Sequence, residues 1–195
     1  TSGFRETFGG LHIKEKVYPD MTILGKALGN GYAITAVLGS NGIMDKEKET
    51  FISSTFWTES IGPTAALKTL ELMERQKSWI KITKIGRYVI KNWKRIAKKN
   101  SIKIHIKGIP ALCSFEFKSK NNNLYKNLIT QEMLKKGFLA SNIIYISTTH
   151  KISILKKYFK VLDDVFKIIS KCEKGKDIYI YLNNKVSEKK FSRLN

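Results

Sequence analysis

One lysine of this chain stands in surroundings unlike those of the others. Residues 21–39 read MTILGKALGNGYAITAVLG, an almost wholly apolar stretch in which Lys26 lies between Gly25 and a Gly29-Asn30-Gly31 turn. An ammonium withdrawn from water is costly unless paired or neutralised, and desolvation moves a lysine toward the free amine that attacks carbonyl carbons. Lys26 is therefore a candidate Schiff-base former, on a strand end whose neighbouring glycines leave room for a bulky planar group near the backbone. The alternative is a lysine whose aliphatic stem snorkels outward from that strand end.

A second set of polar groups lies in SSTFWTESIGP, residues 53–63, where Ser53, Ser54, Thr55 and Thr58 offer hydroxyls just ahead of a helix opened by Pro63. A helix start adds backbone N–H groups and a favourable dipole, a combination that suits a phosphate. An ordinary capping loop has the same composition. Phe56 and Trp57 suit either a pocket wall or plain packing. His150, in STTHKIS, reads as a residue that starts the last long helix. His12 and His105 have no carboxylate or cysteine at metal-ligand spacing, so no metal site is expected. Neither a Ser-His-Asp arrangement nor a phosphate-cradling P-loop is present.

The elements that must hold these groups follow from pattern. Residues 1–20, with Gly3, Gly9, Gly10 and Pro19, read as loop with a short helical turn. MTIL (21–24) and AITAVLG (33–39) read as buried strands, and NGIMDKEKETF offers a short helix. From Pro63, Ala66, Leu67, Leu70 and Met73 recur at helical spacing. Residues 78–100 place Ile82, Ile85, Val89, Trp93 and Ile96 on one helical face and Lys81, Lys84, Lys91, Lys94 and Lys98 on the other. Beyond residue 100 the order is strand IKIHI, turn KGIP, strand ALCSFEF, helix LYKNLITQEMLKK closed by Gly137, strand IIYIS and a helix over about 151–171. The β-β-α-β-α succession suggests a small α+β unit with helices on one face of a sheet. The tail IYIYLNNKVSEKKFSRLN reads as a strand-like run followed by a polar end.

The chain has 195 residues, 42% hydrophobic and 27% charged, a globular composition able to bury a core. Its 36 Lys+Arg against 16 Asp+Glu give a formal charge of +20, which would attract polyanions if the cations were clustered. Lysines spread along the chain beside many Ile and Asn fit compositional drift instead, so no nucleic-acid or membrane partner is expected. Cys113 and Cys172 are far apart, as reduced cytoplasmic thiols would be. No signal-peptide pattern and no apolar run of about 18 residues is present.

The motifs around Lys26 carry a family resemblance. GFRETFGG, YPDMTILGKALGNGYAITAVLG and FISSTFWTESIGPTAALKTLE resemble the lysine region of class-III pyridoxal-phosphate-dependent aminotransferases, a group that includes glutamate-1-semialdehyde aminomutase. Pro19-Asp20, Gly25-Lys26-Ala27 and Gly29-Asn30-Gly31 match the family pattern position by position, and similarity continues through FKSK, QEMLKKGFLAS, ISTTH and FSRLN. The resemblance implies an α/β architecture: residues 1–78 as the C-terminal part of a fold-type I cofactor-binding large domain, and 79–195 as a connecting helix with the small α+β domain. It implies that Lys26 forms the internal aldimine with pyridoxal 5'-phosphate and then moves the substrate proton. It also implies that Thr58 reaches the cofactor phosphate of a neighbouring subunit, so that a homodimer shares its active sites, and His150 resembles a histidine that family members carry at the same point, either on the substrate side or only at the helix entry. The family's acidic partner for the pyridine nitrogen, its phosphate cradle and its ring-stacking aromatic fall upstream of Thr1. The stretch is therefore expected to be the C-terminal part of a longer cytoplasmic enzyme, inactive and poorly soluble alone. The expected reaction moves an amino group between an amine or amino acid and a carbonyl compound. An intramolecular 2,1-aminomutase is the alternative, and a basic polyanion- or membrane-binding module is the rival from another class.

Overall fold

A computed structural model describes residues 4–53, 55–56 and 58–183; Ser54, Trp57 and the tail that includes FSRLN lie outside the described residues. The chain forms two compact units, Thr1–Ile85 and Gly86–Asn195.

In the first unit a short helix α1 (Leu11–Glu15) precedes strand β1 (Met21–Leu24), which pairs antiparallel with β2 (Ala36–Gly39) in the register Met21↔Gly39 to Leu24↔Ala36. A short helix α2 (Asn41–Met44) and a tight 3-10 turn over Asp45–Glu49 follow, then helix α3 (Ile61–Gln76). Its core is small: Phe4, Leu24, Leu28 and Ala66, flanked by Ala27, Ile34, Ala36, Leu70 and Met73. Both strands differ from the sequence expectation of burial. The second begins at Ala36 rather than residue 33, and Met21, Ile23, Val37 and Leu38 are exposed, Ile23 by 73%. The reason is that the sheet has two strands, so neither strand finds a further partner among the described residues, and one helix cannot cover both faces. Leu67, at helical spacing with Ala66 and Leu70, is likewise exposed.

Helix α4 (Ser78–Lys99) carries the amphipathic face read from sequence: Ile82, Ile85, Val89, Trp93 and Ile96 are buried, and the alternate lysines are exposed. In the second unit β3 (Ile104–Ile109), β4 (Leu112–Phe117) and β5 (Ile143–Tyr145) form an antiparallel sheet in that order, with α5 (Asn122–Lys135) and α6 (Ile152–Glu173). Strand β4 alternates as period-two burial requires, with Cys113, Phe115 and Phe117 inward, while on its other face Glu116 pairs with Lys107 at 2.7 Å. The hairpin turn is tighter than the KGIP segment suggested. Gly108 takes a φ of +82°, β3 continues through it to Ile109, and Pro110 and Ala111 make the reversal. Gly86 of α4 meets that turn so closely that a Cβ there would lie 1.8 Å from the Pro110 carbonyl oxygen. The strand-like run near residue 178 is instead a 3-10 turn, Ile178–Ile180, because the Asp177 carboxylate accepts a hydrogen bond from Tyr179 N at 3.0 Å.

Edge-to-face aromatic pairs organise this core: Trp93 on Phe115 at 4.8 Å, Phe117 on Tyr125 at 5.3 Å and Phe115 on Phe166 at 5.8 Å. The buried polar ends are satisfied, since Trp93 Nε1 donates to the Tyr158 hydroxyl at 3.0 Å and the Tyr125 hydroxyl donates to Glu173 at 2.6 Å. Among the described residues, no helix is long and apolar enough to cross a membrane.

Burial pushes the Cys113 thiol up to about 12 and, with the Glu173 hydrogen bond, the Tyr125 hydroxyl to about 12; the Tyr158 hydroxyl is raised by burial as well. The folded state thus keeps protons that the unfolded chain releases, so stability is complete below the ordinary thiol value and falls as pH rises from about 9 toward 12. Urea unfolding should show the second unit losing stability across that window, with Cys113→Ala reducing the earliest part of the loss. Gly86→Ala should destabilise the same unit by about 3 kcal/mol or more, because the obstruction is backbone.

Candidate functional site

Strand β1 ends at Leu24, and the chain reverses through a turn closed by Leu28 N to Gly25 O at 3.1 Å, Asn30 N to Lys26 O at 3.0 Å and Tyr32 N to Gly29 O at 3.1 Å. Leu24 and Leu28 enter the core on either side of Lys26. Gly29 is buried, and a Cβ there would lie 2.1 Å from the Tyr32 carbonyl oxygen, so this position admits glycine alone. Lys26 itself has a φ of +49°, in the left-handed region. Lys16 and Lys77, which share that conformation, close helices α1 and α3, where it is common. Lys26 closes no helix, and a lysine held there costs about 1 kcal/mol relative to the glycine or asparagine that such a position favours.

The amine was expected to be withdrawn from water, and in this respect the structure corrects the sequence: Lys26 is exposed. The apolar residues that flank it along the chain diverge in space. Leu24 and Leu28 go to the core, while Met21, Ile23, Val37 and Leu38 of the sheet stay exposed themselves.

Thr58 is exposed in the loop before α3, as are Ser53, Thr55 and Phe56. The start of α3 does not offer the open N–H groups expected for a phosphate. The Glu59 carboxylate accepts from Ile61 N, and from Gly62 N at 2.9 Å, and so caps the helix. Glu59 was not singled out by the sequence reading, although an acidic residue just ahead of a proline-opened helix carries that signal. Gly62 brings α3 against the chain leaving the Lys26 turn: a Cβ there would lie 2.9 Å from the Ala33 carbonyl oxygen and 3.2 Å from Ile34 Cβ. The two segments therefore share a scaffold, but Lys26 and Thr58 are not among the residues of the hollow of about 1010 Å³ between them, whose walls include Ile34, Val37, Met44, Phe56 and Pro63.

His150 belongs to the second unit, where its Nδ1 accepts from Ser147 N at 3.0 Å and lies 2.9 Å from Ser147 Oγ, fixing the turn that starts α6. His12 lies on α1 and His105 on β3, and no group of three potential metal ligands occurs among the described residues.

The site thus consists of an exposed primary amine on a hydrogen-bonded turn and, separately, a loop of exposed hydroxyls ahead of α3. The class-III aminotransferase family model matches residues 4–171. The chain belongs to that family. It is 34% identical over 131 residues to the 3-aminobutyryl-CoA aminotransferase of Cloacimonas acidaminovorans, a match spanning 67% of this chain and 32% of that protein. It is 27% identical over 186 residues to the glutamate-1-semialdehyde 2,1-aminomutase of Wigglesworthia glossinidia brevipalpis, spanning 86% and 43%. The FumI protein of Sphingopyxis sp. MTA144, solved in its PLP internal aldimine form, shares the fold with a TM-score of 0.80 at 19% identity, over 92% of this chain and 44% of that one. The chain thus spans about a third to just under half of these class-III aminotransferases and their relatives.

Two substitutions separate the roles of turn and cap. Lys26→Asn should raise the stability of the first unit by roughly 0.5 kcal/mol, since asparagine tolerates the left-handed backbone. Glu59→Ala should lower it by about 1 kcal/mol, both read by urea unfolding.

Proposed function

We propose that this class-III chain carries the cofactor-anchoring lysine of a pyridoxal-phosphate-dependent aminotransferase, and that Lys26 is that lysine. The observation that supports it is the left-handed backbone at Lys26, an unfavourable place for a lysine, on a turn fixed by three hydrogen bonds and an obligatory glycine. Strain of this kind is retained where function requires the side chain.

The residues present fit the group. An exposed primary amine suits an aldehyde, and exposed hydroxyls at Thr58 and Thr55 suit phosphate oxygens, while the backbone donors of α3 are occupied by Glu59. When bound, the cofactor supplies the electron sink that makes a substrate C–H acidic. Lys26 Nζ would hold the cofactor through its aldehyde carbon and, once displaced by an amino donor, carry the proton removed from the substrate carbon. A lysine acts as nucleophile or base only after giving up its proton, which a water-excluding cover promotes. We assign that cover to polypeptide outside residues 1–195 together with a second copy of the chain, whose Thr58 would serve the first copy's Lys26. Turnover then depends on groups beyond this stretch.

In this reading residues 1–78 belong to the cofactor domain, and 79–195 are the connecting helix and small domain. The substrates are a small-molecule amine or amino acid and a carbonyl compound. A 2,1-aminomutase is the second reading, favoured by the aminomutase relatives at 27% and 25% identity. Buried free thiols at Cys113 and Cys172 support a cytoplasmic setting.

In the complete enzyme, borohydride should fix pyridoxal phosphate on Lys26, read by peptide mass spectrometry, and Lys26→Ala should lose both label and turnover while keeping its oligomeric state. A label on any other lysine, with Lys26 unmodified, sinks the assignment. Thr58→Val and Thr55→Val, compared by cofactor titration, should weaken binding about tenfold at whichever hydroxyl holds the phosphate. Mixing Lys26→Ala with Thr58→Val chains should restore part of the activity if the two residues serve different copies.

A further inference from the structure

Helices α4 and α6 enclose a hollow of about 550 Å³ within the second unit, inside the size range of small-ligand sites. Its walls carry Lys91, Arg95 and Lys99 from α4 and Lys156 and Lys160 from α6, against one carboxylate, Asp163. Within each helix these cations are spaced at four residues, where like charges repel. Asp163 relieves little of this. It takes Lys99 at 2.5 Å, Asn100 Nδ2 at 2.8 Å and, from outside the hollow, Lys167 at 3.9 Å. Among the described residues, no carboxylate lies within ion-pair distance of Lys91, Arg95, Lys156 or Lys160. The hollow therefore holds four positive charges in excess.

One of the cations is held in place. Asn92, only 8% exposed, accepts from Arg95 Nη2 through its side-chain oxygen at 3.0 Å and donates through its amide nitrogen to the Tyr88 carbonyl at 2.8 Å. A buried amide is thus committed to orienting a guanidinium at the edge of the hollow, and a guanidinium fork matches phosphoryl oxygens. Codon drift scatters lysines over a surface. It explains neither the buried asparagine aligned on Arg95 nor cations that face one another across an apolar floor of Ile96 and Phe159.

We propose that the α4–α6 hollow is a polyphosphate site, taking a short run of linked phosphoryl groups as in free tripolyphosphate or a nucleoside triphosphate. The charge of a triphosphate matches the four-charge excess. From Lys91 to Lys99 the helix rises about 12 Å, the reach of a short polyphosphate. A nucleic-acid strand would need exposed aromatic platforms, and the aromatics here are buried at Phe159 and half-buried at Tyr88. The site is independent of Lys26.

Calorimetric titration of the full chain with inorganic tripolyphosphate, ATP, orthophosphate and a short single-stranded oligonucleotide tests it. Tripolyphosphate should bind at one equivalent and more tightly than orthophosphate, and Arg95→Gln and Lys160→Gln should each weaken it about tenfold. Asn92→Ala should weaken it through Arg95. Circular dichroism should show Arg95→Gln and Lys160→Gln, both at exposed positions, to be folded. Lys118→Gln and Lys136→Gln, exposed outside the hollow, should leave affinity within about twofold. ATP tighter than tripolyphosphate identifies a nucleotide as the source, and the reverse a free polyphosphate. Equal losses inside and outside the hollow, or an oligonucleotide bound more tightly than tripolyphosphate, overturn the proposal.

Discussion

The turn around Lys26 holds its backbone in the left-handed region and ties the end of β1 to the core of the first unit. Leu24 and Leu28 fasten both sides of the turn to the core, and Gly29 leaves no space for a side chain of its own. The bonds from Leu28 N to Gly25 O and from Asn30 N to Lys26 O both close turns that include residue 26, so a change of conformation there would break them together. A side chain can then be solvated while its point of attachment is fixed, the condition a covalent anchor needs: the reactive atom must find its partner, but the frame behind it must not move. Burial of the amine is a separate requirement, and the described residues do not meet it. The exposed faces of β1 and β2 supply the physical reason to look for a cover.

The two units treat their apolar residues differently. In the second, Trp93, Phe115, Tyr125 and Phe166 are fully buried, Trp93 and Phe166 meet Phe115 edge-to-face and Tyr125 meets Phe117 in the same way, and α4, α5 and α6 all contribute to the core. In the first, a four-residue core holds a two-stranded sheet whose Ile23 and Leu38 face solvent. A two-stranded ribbon is marginal in water unless something packs on it. The second unit thus has the burial that folding requires, whereas the first unit's stability depends on what lies against its sheet.

Sequence was most informative where one element decided its own burial. The α4 face was legible because five apolar residues recur at 3.6-residue spacing, and β4 because its inward residues alternate. The Lys26 turn was legible from its glycines. Burial of β1 and β2 was not, because an apolar run shows that a strand can be covered and not that a cover is present. The Glu59 cap is hard to see in sequence because it stands among hydroxyls of similar capping power, while the first-turn N–H groups go to the carboxylate. The basic hollow was illegible for a different reason: Lys91 and Lys160 are 69 positions apart, and only the packing of α4 on α6 makes a set of them.

The Glu59 cap also bears on how a phosphate can be held near Lys26. A helix N-terminus that already carries a carboxylate on Ile61 N and Gly62 N has used the donors an anion would seek, and a phosphate brought to the same end would meet that negative charge. Hydroxyls at Thr55 and Thr58 can donate to phosphate, but they do not neutralise it. On the proposed role of this loop, the balancing positive charge would come from outside the α3 start. On the proposed role of Thr58, the Glu59 cap gives a physical reason for the loop to meet a phosphate across an interface, where a second surface would bring the missing charge.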